Sequence, residues 1–211
     1  MGEARRILIW LVPILIGGVA LQTYLTRYRN HQARDLFELG QAASASGDPD
    51  TAILRFTEVL SLDPKSANAY CCRAGAFSRK HEFEKAVADF DEAIRIDATK
   101  PDFFVNRGVA NYALGRFQAA ADDYSAAIQL KNDYALAFCN RGNTYVRLDD
   151  LDKAIADYTE AIRINPTYAD AYQNRGTAYS QRGDRDKAAA DFEKVRELRA
   201  SQKSPAAPDF T

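Results

Sequence analysis

Apolar residues are distributed along this chain in two different ways. From Ile7 to Leu25 they form one block, ILIWLVPILIGGVALQTYL, nineteen residues without a charge, bracketed by Arg5 and Arg6 before it and Arg27 and Arg29 after it. Past residue 32 they are interleaved with polar residues in a pattern that returns every 34 residues. Asn106-Arg107-Gly108 comes back as Asn140-Arg141-Gly142 and Asn174-Arg175-Gly176, with Cys72-Arg73-Ala74 as a degenerate copy one period upstream. Asp89-Phe90, Asp123-Tyr124, Asp157-Tyr158 and Asp191-Phe192 keep the same spacing, and Leu36, Gly40, Ala52, Phe56 and Pro64 carry the register one step further back. The units are 33–66, 67–100, 101–134, 135–168 and 169–202, a self-similarity that points to a repeat architecture.

The uninterrupted block predicts a transmembrane helix over 7–25. At about 1.5 Å rise per residue it spans a hydrocarbon core of about 30 Å, and Pro13 with the Gly17-Gly18 pair, poor in a soluble helix, is tolerated in lipid. Residues 1–6 are then an N-terminal tail, 26–32 a juxtamembrane linker and 203–211, with Pro205 and Pro208, a disordered tail. The competing reading is a cleaved signal peptide, for which Arg5 and Arg6 supply an n-region and Gly18-Val19-Ala20 the small residues of a cleavage site. The block runs past that site to Leu25, longer than a typical h-region, which favours the anchor. Arg5 and Arg6 precede the segment, while Arg27, Arg29 and Arg34 follow it, so the positive-charge rule almost balances. A short tail carrying two arginines and the α-amino charge resists translocation, and the expected localisation is single-pass membrane with the repeats outside the cytoplasm. Unpaired cysteines point the other way.

The repeat resembles the tetratricopeptide (TPR) family over about 170 of the 211 residues. The fourth unit carries the signature in full: Phe138, Gly142, Tyr145, Ala154, Tyr158, Ala161 and Pro166. Gly142 and Ala154 let two helices approach, the aromatics fill the space between repeats, Pro64 and Pro166 stop the second helix of a unit, and Gly47, Gly115 and Gly183 supply the turn between helices. Departures are Ala74 in a glycine place, His81 in an inter-helix turn, Asn132 in a proline place, and a first unit without the Asn-Arg-Gly triplet. The resemblance implies an all-α fold: a right-handed α-solenoid of helix-turn-helix repeats, here with one N-terminal transmembrane helix. No hairpin buries its apolar face alone, so five stack around a continuous core.

Arg73, Arg107, Arg141 and Arg175 look like a ladder for a ligand. Each, however, has an acid sixteen residues on, Asp89, Asp123, Asp157 and Asp191, and the first unit, with Leu39 and Arg55 at those places, lacks both members together. A structural Arg–Asp pair between the two helices of a unit is the favoured reading.

The resemblance places ligand-facing positions on the first helix of each unit, along a concave surface. The sixth positions include Asn106, Asn140 and Asn174. A carboxamide both donates and accepts, so a row of them brackets the backbone of an extended peptide whatever its side chains; the competing account is that each bonds within its own repeat. Val105, Val109, Tyr112, Cys139, Asn143 and Val146 complete the expected peptide-binding lining, with Arg79 and Arg147 nearer its edge. Cys139 stands where a two-carboxylate clamp needs a lysine, which disfavours a chaperone-tail clamp.

Composition removes other classes. Lys plus Arg number 28 against 29 for Asp plus Glu, a net charge of −1, so there is no basic field for nucleic acid. Cys71, Cys72 and Cys139 are an odd set whose adjacent pair is too close for an unstrained disulfide, and buried small residues are their expected role. His31 and His81 have no catalytic partner at readable spacing, and the Asp149, Asp150, Asp152 group lacks calcium-loop spacing. No catalytic residue, metal, cofactor or small-molecule substrate is expected. The function expected is a membrane-anchored scaffold or adaptor for partner proteins or peptides; the alternative is a self-assembling structural module that pairs through its exposed last helix, roughly Asp184 to Arg199.

Overall fold

A computed structural model of the chain describes residues 3–203, with side chains placed over 19–201. Ten helices fill the described residues: α1 (Glu3–Ala45), α2 (Pro49–Leu62), α3 (Ala67–Arg79), α4 (Phe83–Ile96), α5 (Pro101–Ala113), α6 (Phe117–Leu130), α7 (Ala135–Arg147), α8 (Leu151–Ile164), α9 (Ala169–Arg182) and α10 (Arg185–Lys203). The starts of α3, α5, α7 and α9 fall on the first residues of units two to five. Each helix packs on its chain neighbours, and each odd helix also touches the next odd one, while no two even helices meet. The odd helices therefore line the tighter, concave side of a solenoid.

The aromatic of each Asp-aromatic pair closes its own hairpin. A Cβ on Gly142 would lie 2.7 Å from Cε1 of Tyr158, and Gly40, Gly108 and Gly176 face Phe56, Tyr124 and Phe192 in the same way. The aromatics thus pack first within a repeat, against bare backbone, and only then toward the next repeat, where Tyr158 shares a cluster with Ala171 and Ala178. α2 and α8 end at Leu62 and Ile164, two residues ahead of Pro64 and Pro166, while α6 ends at Leu130 without a proline in that place, so a proline is not required for the stop. The turns carry one left-handed residue each: Gly47, Gly115 and Gly183, with His81 (φ 60°) and Asp149 (φ 61°) in the two units that lack glycine there.

The Arg–Asp pairs form in all four units that carry them. Arg73 and Asp89 meet at 2.7 Å through both Nε and Nη2, Arg141 and Asp157 at 2.8 Å, and Arg175 and Asp191 at 2.9 and 2.8 Å. In the third unit Asn111, buried where its neighbours have Phe77 or Tyr145, donates to Asp123 Oδ2 at 2.9 Å, and Arg107 directs two nitrogens at Oδ1 instead. The remaining nitrogen reaches back sixteen residues: Arg73 to Thr57, Arg107 to Asp91, Arg141 to Ser125 and Arg175 to Thr159, at 2.6–3.1 Å. Each arginine joins the two helices of its own repeat and also the second helix of the repeat before. In the first unit Arg55 pairs with Glu58, one turn along its own helix, and Leu39 is exposed.

Residues 26–32, the expected juxtamembrane linker, are helical. Nothing between Leu25 and Gly40 breaks a helix, and α1 runs unbroken into the first repeat. Arg29 fixes this extension by donating to the Leu62 carbonyl at 2.6 Å, at the C-terminal end of α2, where a cation complements the helix dipole. Among the described residues no helix is long and apolar enough to cross a membrane; for 7–18 of the expected span, side chains lie outside the described set, and so do residues 1–2 and 204–211 of the two expected tails. Val19, Leu21, Tyr24, Leu25 and Tyr28 are all exposed on α1. The exposed face of α10 is charged, with Lys194–Glu197 paired at 3.0 Å and Arg196 paired to Glu193, and no exposed large hydrophobic lies on it.

Candidate binding groove

The concave side is built from α1, α3, α5, α7 and α9, and its centre lies where α5, α7 and α9 adjoin. Two hollows open there. One, of about 170 Å³, is lined by Val109, Tyr112, Tyr124, Asn140 and Asn143; the other, of about 160 Å³, by Tyr112, Asn143, Val146, Arg147, Tyr158, Asn174, Thr177 and Gln181. Tyr112 and Asn143 belong to both and form the saddle between them. Val109 is 45 % exposed although apolar.

Six of the nine expected peptide-binding residues, Val109, Tyr112, Asn140, Asn143, Val146 and Asn174, are thereby brought together. Asn106 is exposed one repeat earlier. Val105 and Cys139 are not groove residues. At 3 % and 2 % exposure they are buried in the core, because the fifth position of the first helix points between adjacent repeats rather than into the concavity.

The three asparagines are not equivalent. Asn174 donates from Nδ2 to Asn143 Oδ1 at 2.9 Å and lies 3.9 Å from Cys139 Sγ; Tyr158 donates its hydroxyl to the same Asn143 oxygen at 2.8 Å. That network holds the Asn143 amide across α7, α8 and α9 with its oxygen occupied. Among the described residues the Asn140 side chain makes no hydrogen bond to protein, and the Asn106 amide lies within hydrogen-bonding reach of the Cys71 thiol. Tyr158 and Gln181 line the second hollow without having been marked in the sequence: Tyr158 reads as a core aromatic, and only its hydroxyl reaches the groove.

Burial pushes the Cys71 thiol up to about 12, with the neighbouring Cys72 adding to the effect, and burial also raises Cys72 and Cys139. Neutral thiols of this kind are poor nucleophiles. His31 pairs with Asp35 on the exposed side of α1, and His81 sits in a turn against Phe83. Among the described residues no group of His, Cys, Asp and Glu is placed to hold a metal.

Comparison with known proteins agrees with this architecture. A family profile described as TPR repeat matches residues 77–115, 110–149 and 142–183, and one described as tetratricopeptide repeat matches 169–202. Among solved structures, one of MamA is 30 % identical, with a TM-score of 0.74 over 78 % of this chain and 96 % of its own. MamA residues 41 to the end, from Desulfovibrio magneticus RS-1, superpose with a TM-score of 0.77 at 21 % identity, over 82 % of this chain and 98 % of that one. YrrB, described as a TPR protein with an unusual peptide-binding site, gives 0.68 at 22 % identity, over 83 % and 91 %.

Proposed function

The chain belongs to the tetratricopeptide-repeat family, and from that premise we propose that it is a membrane-tethered scaffold whose concave groove captures extended segments of partner proteins, without catalysis. The observation that carries this reading is the central groove itself: two adjoining hollows with an exposed apolar Val109, the uncommitted carboxamide of Asn140, and Asn106 one repeat away. Asn106 and Asn140 are the residues proposed to bracket a peptide backbone. Asn174, whose donor is engaged by Asn143, serves by holding the second hollow in shape.

Tethering rests on the uncharged run of residues 7–25 and on the continuity of α1, which makes the tether and the first helix of the array one rod. A groove mounted on a rod has a restricted orientation to the bilayer, and that suits presentation of a partner at the surface. The repeats are proposed to lie outside the cytoplasm. Because the native cysteines are buried or half-buried, a C-terminal reporter fusion is the suitable probe, and a signal from the cytoplasm would reverse the orientation. Self-assembly through α10 has less to rest on, since its outer face is charged and carries no exposed large hydrophobic.

The binding reading is tested with the full-length chain in detergent micelles and a pooled library of short peptides. Asn106→Ala with Asn140→Ala should lower retention of the bound pools about tenfold, the effect of losing one or two net hydrogen bonds, with unchanged helicity. Retention equal to wild type would remove the asparagines from the site.

A further inference from the structure

Arg147 ends α7 on the rim of the second hollow. Its guanidinium lies over the Phe117 ring, 4.4 Å from the centroid, and 5.9 Å from that of Tyr112. Stacking occupies the faces of the guanidinium plane and leaves its N–H groups directed outward along the edges, the geometry that receives a carboxylate in bidentate fashion. Among the described residues Arg147 makes no side-chain hydrogen bond and no ion pair. The acids nearby are committed: Asp150 to Lys153 at 2.6 Å, Asp152 to Arg182 at 2.6 Å, and Asp184 to Arg182. Asp149, two residues on in the left-handed turn position, forms no ion pair with it.

The second repeat supplies the contrast. Arg79, at the same place in its unit, donates to the Ser44 carbonyl at 2.6 Å and so spends itself on the end of α1. Thirty-five residues before Arg147 stands Tyr112, and the Arg147 guanidinium lies over the Phe117 ring with the Tyr112 ring 5.9 Å away, not on a helix-end carbonyl. Arg147 is thus a cation held in position by aromatic rings beside the hollow, with its donors unspent.

We propose that the groove selects segments of a partner protein in which an Asp or Glu lies two to four residues from an apolar side chain, the apolar group filling the hollow beside Val146 and the carboxylate docking on Arg147. Two residues of extended chain cover about 6.6 Å, so both contacts lie within one short segment. This rests on the peptide-binding reading above and adds its specificity.

The test is a positional-scanning library of short peptides, acetylated and amidated at their ends so that only side chains carry charge, offered to the full-length chain in detergent micelles. Wild type should retain pools with a fixed Asp or Glu over the matching Asn or Gln pools by about tenfold, the order expected of a charge-assisted pair at a partly wet rim, and the preference should shrink as salt rises. Arg147→Gln should erase the acid preference while keeping the apolar one, and Arg147→Lys should restore part of it. Wild type without an acid preference, or Arg147→Gln that keeps one, would overturn the assignment and leave the groove a neutral peptide site. Retention of no pool at all would overturn the peptide reading and this inference with it. A chain ending at Lys203 that binds the pools more tightly than wild type would make the chain's own C-terminal segment the occupant, against a partner protein.

Discussion

Replacing Arg141 by alanine removes more from the fold than its exposed counterparts would suggest. Arg141 gives Asp157 two charge-assisted hydrogen bonds at 2.8 Å and reaches the preceding repeat through Ser125 at 2.9 Å. The Asp157 side chain is only 8 % exposed and that of Arg141 19 %. Alanine therefore strands a carboxylate in a place where water reaches it poorly. Breaking a buried pair by removing one partner costs roughly 3–5 kcal/mol, and the residual exposure of the arginine puts this case at the lower end, about 3 kcal/mol. For a domain of this size each kcal/mol is about 2–4 °C, so the melt followed by far-UV circular dichroism should move down by about 6–12 °C. Arg141→Leu combined with Asp157→Leu should cost much less than Arg141→Ala alone, because both charges leave together; the first repeat, with Leu39 and Arg55 in these places, already stands without the pair. An unchanged melting temperature in Arg141→Ala, or a double variant as damaged as the single, would refute the structural role and return the arginines to the ligand.

Further outcomes follow from other contacts. Gly142→Ala should destabilise by about 1–3 kcal/mol in a urea titration, since its Cβ would come within 2.7 Å of Tyr158; Gly47→Leu would not test this, its side being open and its φ positive. His81→Gly should stabilise by about 0.5–1 kcal/mol by relieving a left-handed conformation at φ 60°, and Asp149→Gly by less, because Asp tolerates that region better. Alkylation of the native chain at about pH 8 should be at least about tenfold slower than of the urea-unfolded chain, since burial holds the Cys71 thiol near 12 and raises Cys72 and Cys139 as well. A raised thiol pKa lowers the thiolate fraction at every pH below it, and unfolding restores it.

The repeat was readable in the sequence because close packing repeats its demands. Gly142 and Tyr158 are tied by contact, so both recur at the same period, and Arg141 and Asp157 recur or vanish together because neither charge is tolerable alone. The second partner of each arginine left no such mark: Thr57, Asp91, Ser125 and Thr159 share only an oxygen that accepts, which no residue-type pattern reveals. Groove residues were legible to the level of the helix face and no further. Val105 and Cys139 differ from Val109 and Asn143 by about one helical turn, yet that turn carries them into the core. Whether an asparagine is free depends on what stands across from it in the neighbouring repeat, as Asn143 does for Asn174, and spacing within one helix does not contain that. That residues 26–32 are helical has a simpler reason, since polar residues without glycine or proline do not interrupt a helix.

The central claim, that partners are held in the concave groove, is tested most directly by where a bound peptide lies. A photo-crosslinking side chain at Val109, 45 % exposed between α5 and α7, and another at Leu54, 53 % exposed on α2, an outer helix, offer probes of similar accessibility on opposite sides. With peptides retained by the full-length chain, adducts mapped by mass spectrometry should form at Val109 and fall to background at Leu54. Adducts at Leu54 in equal or greater yield would place the ligand outside the groove and contradict the account.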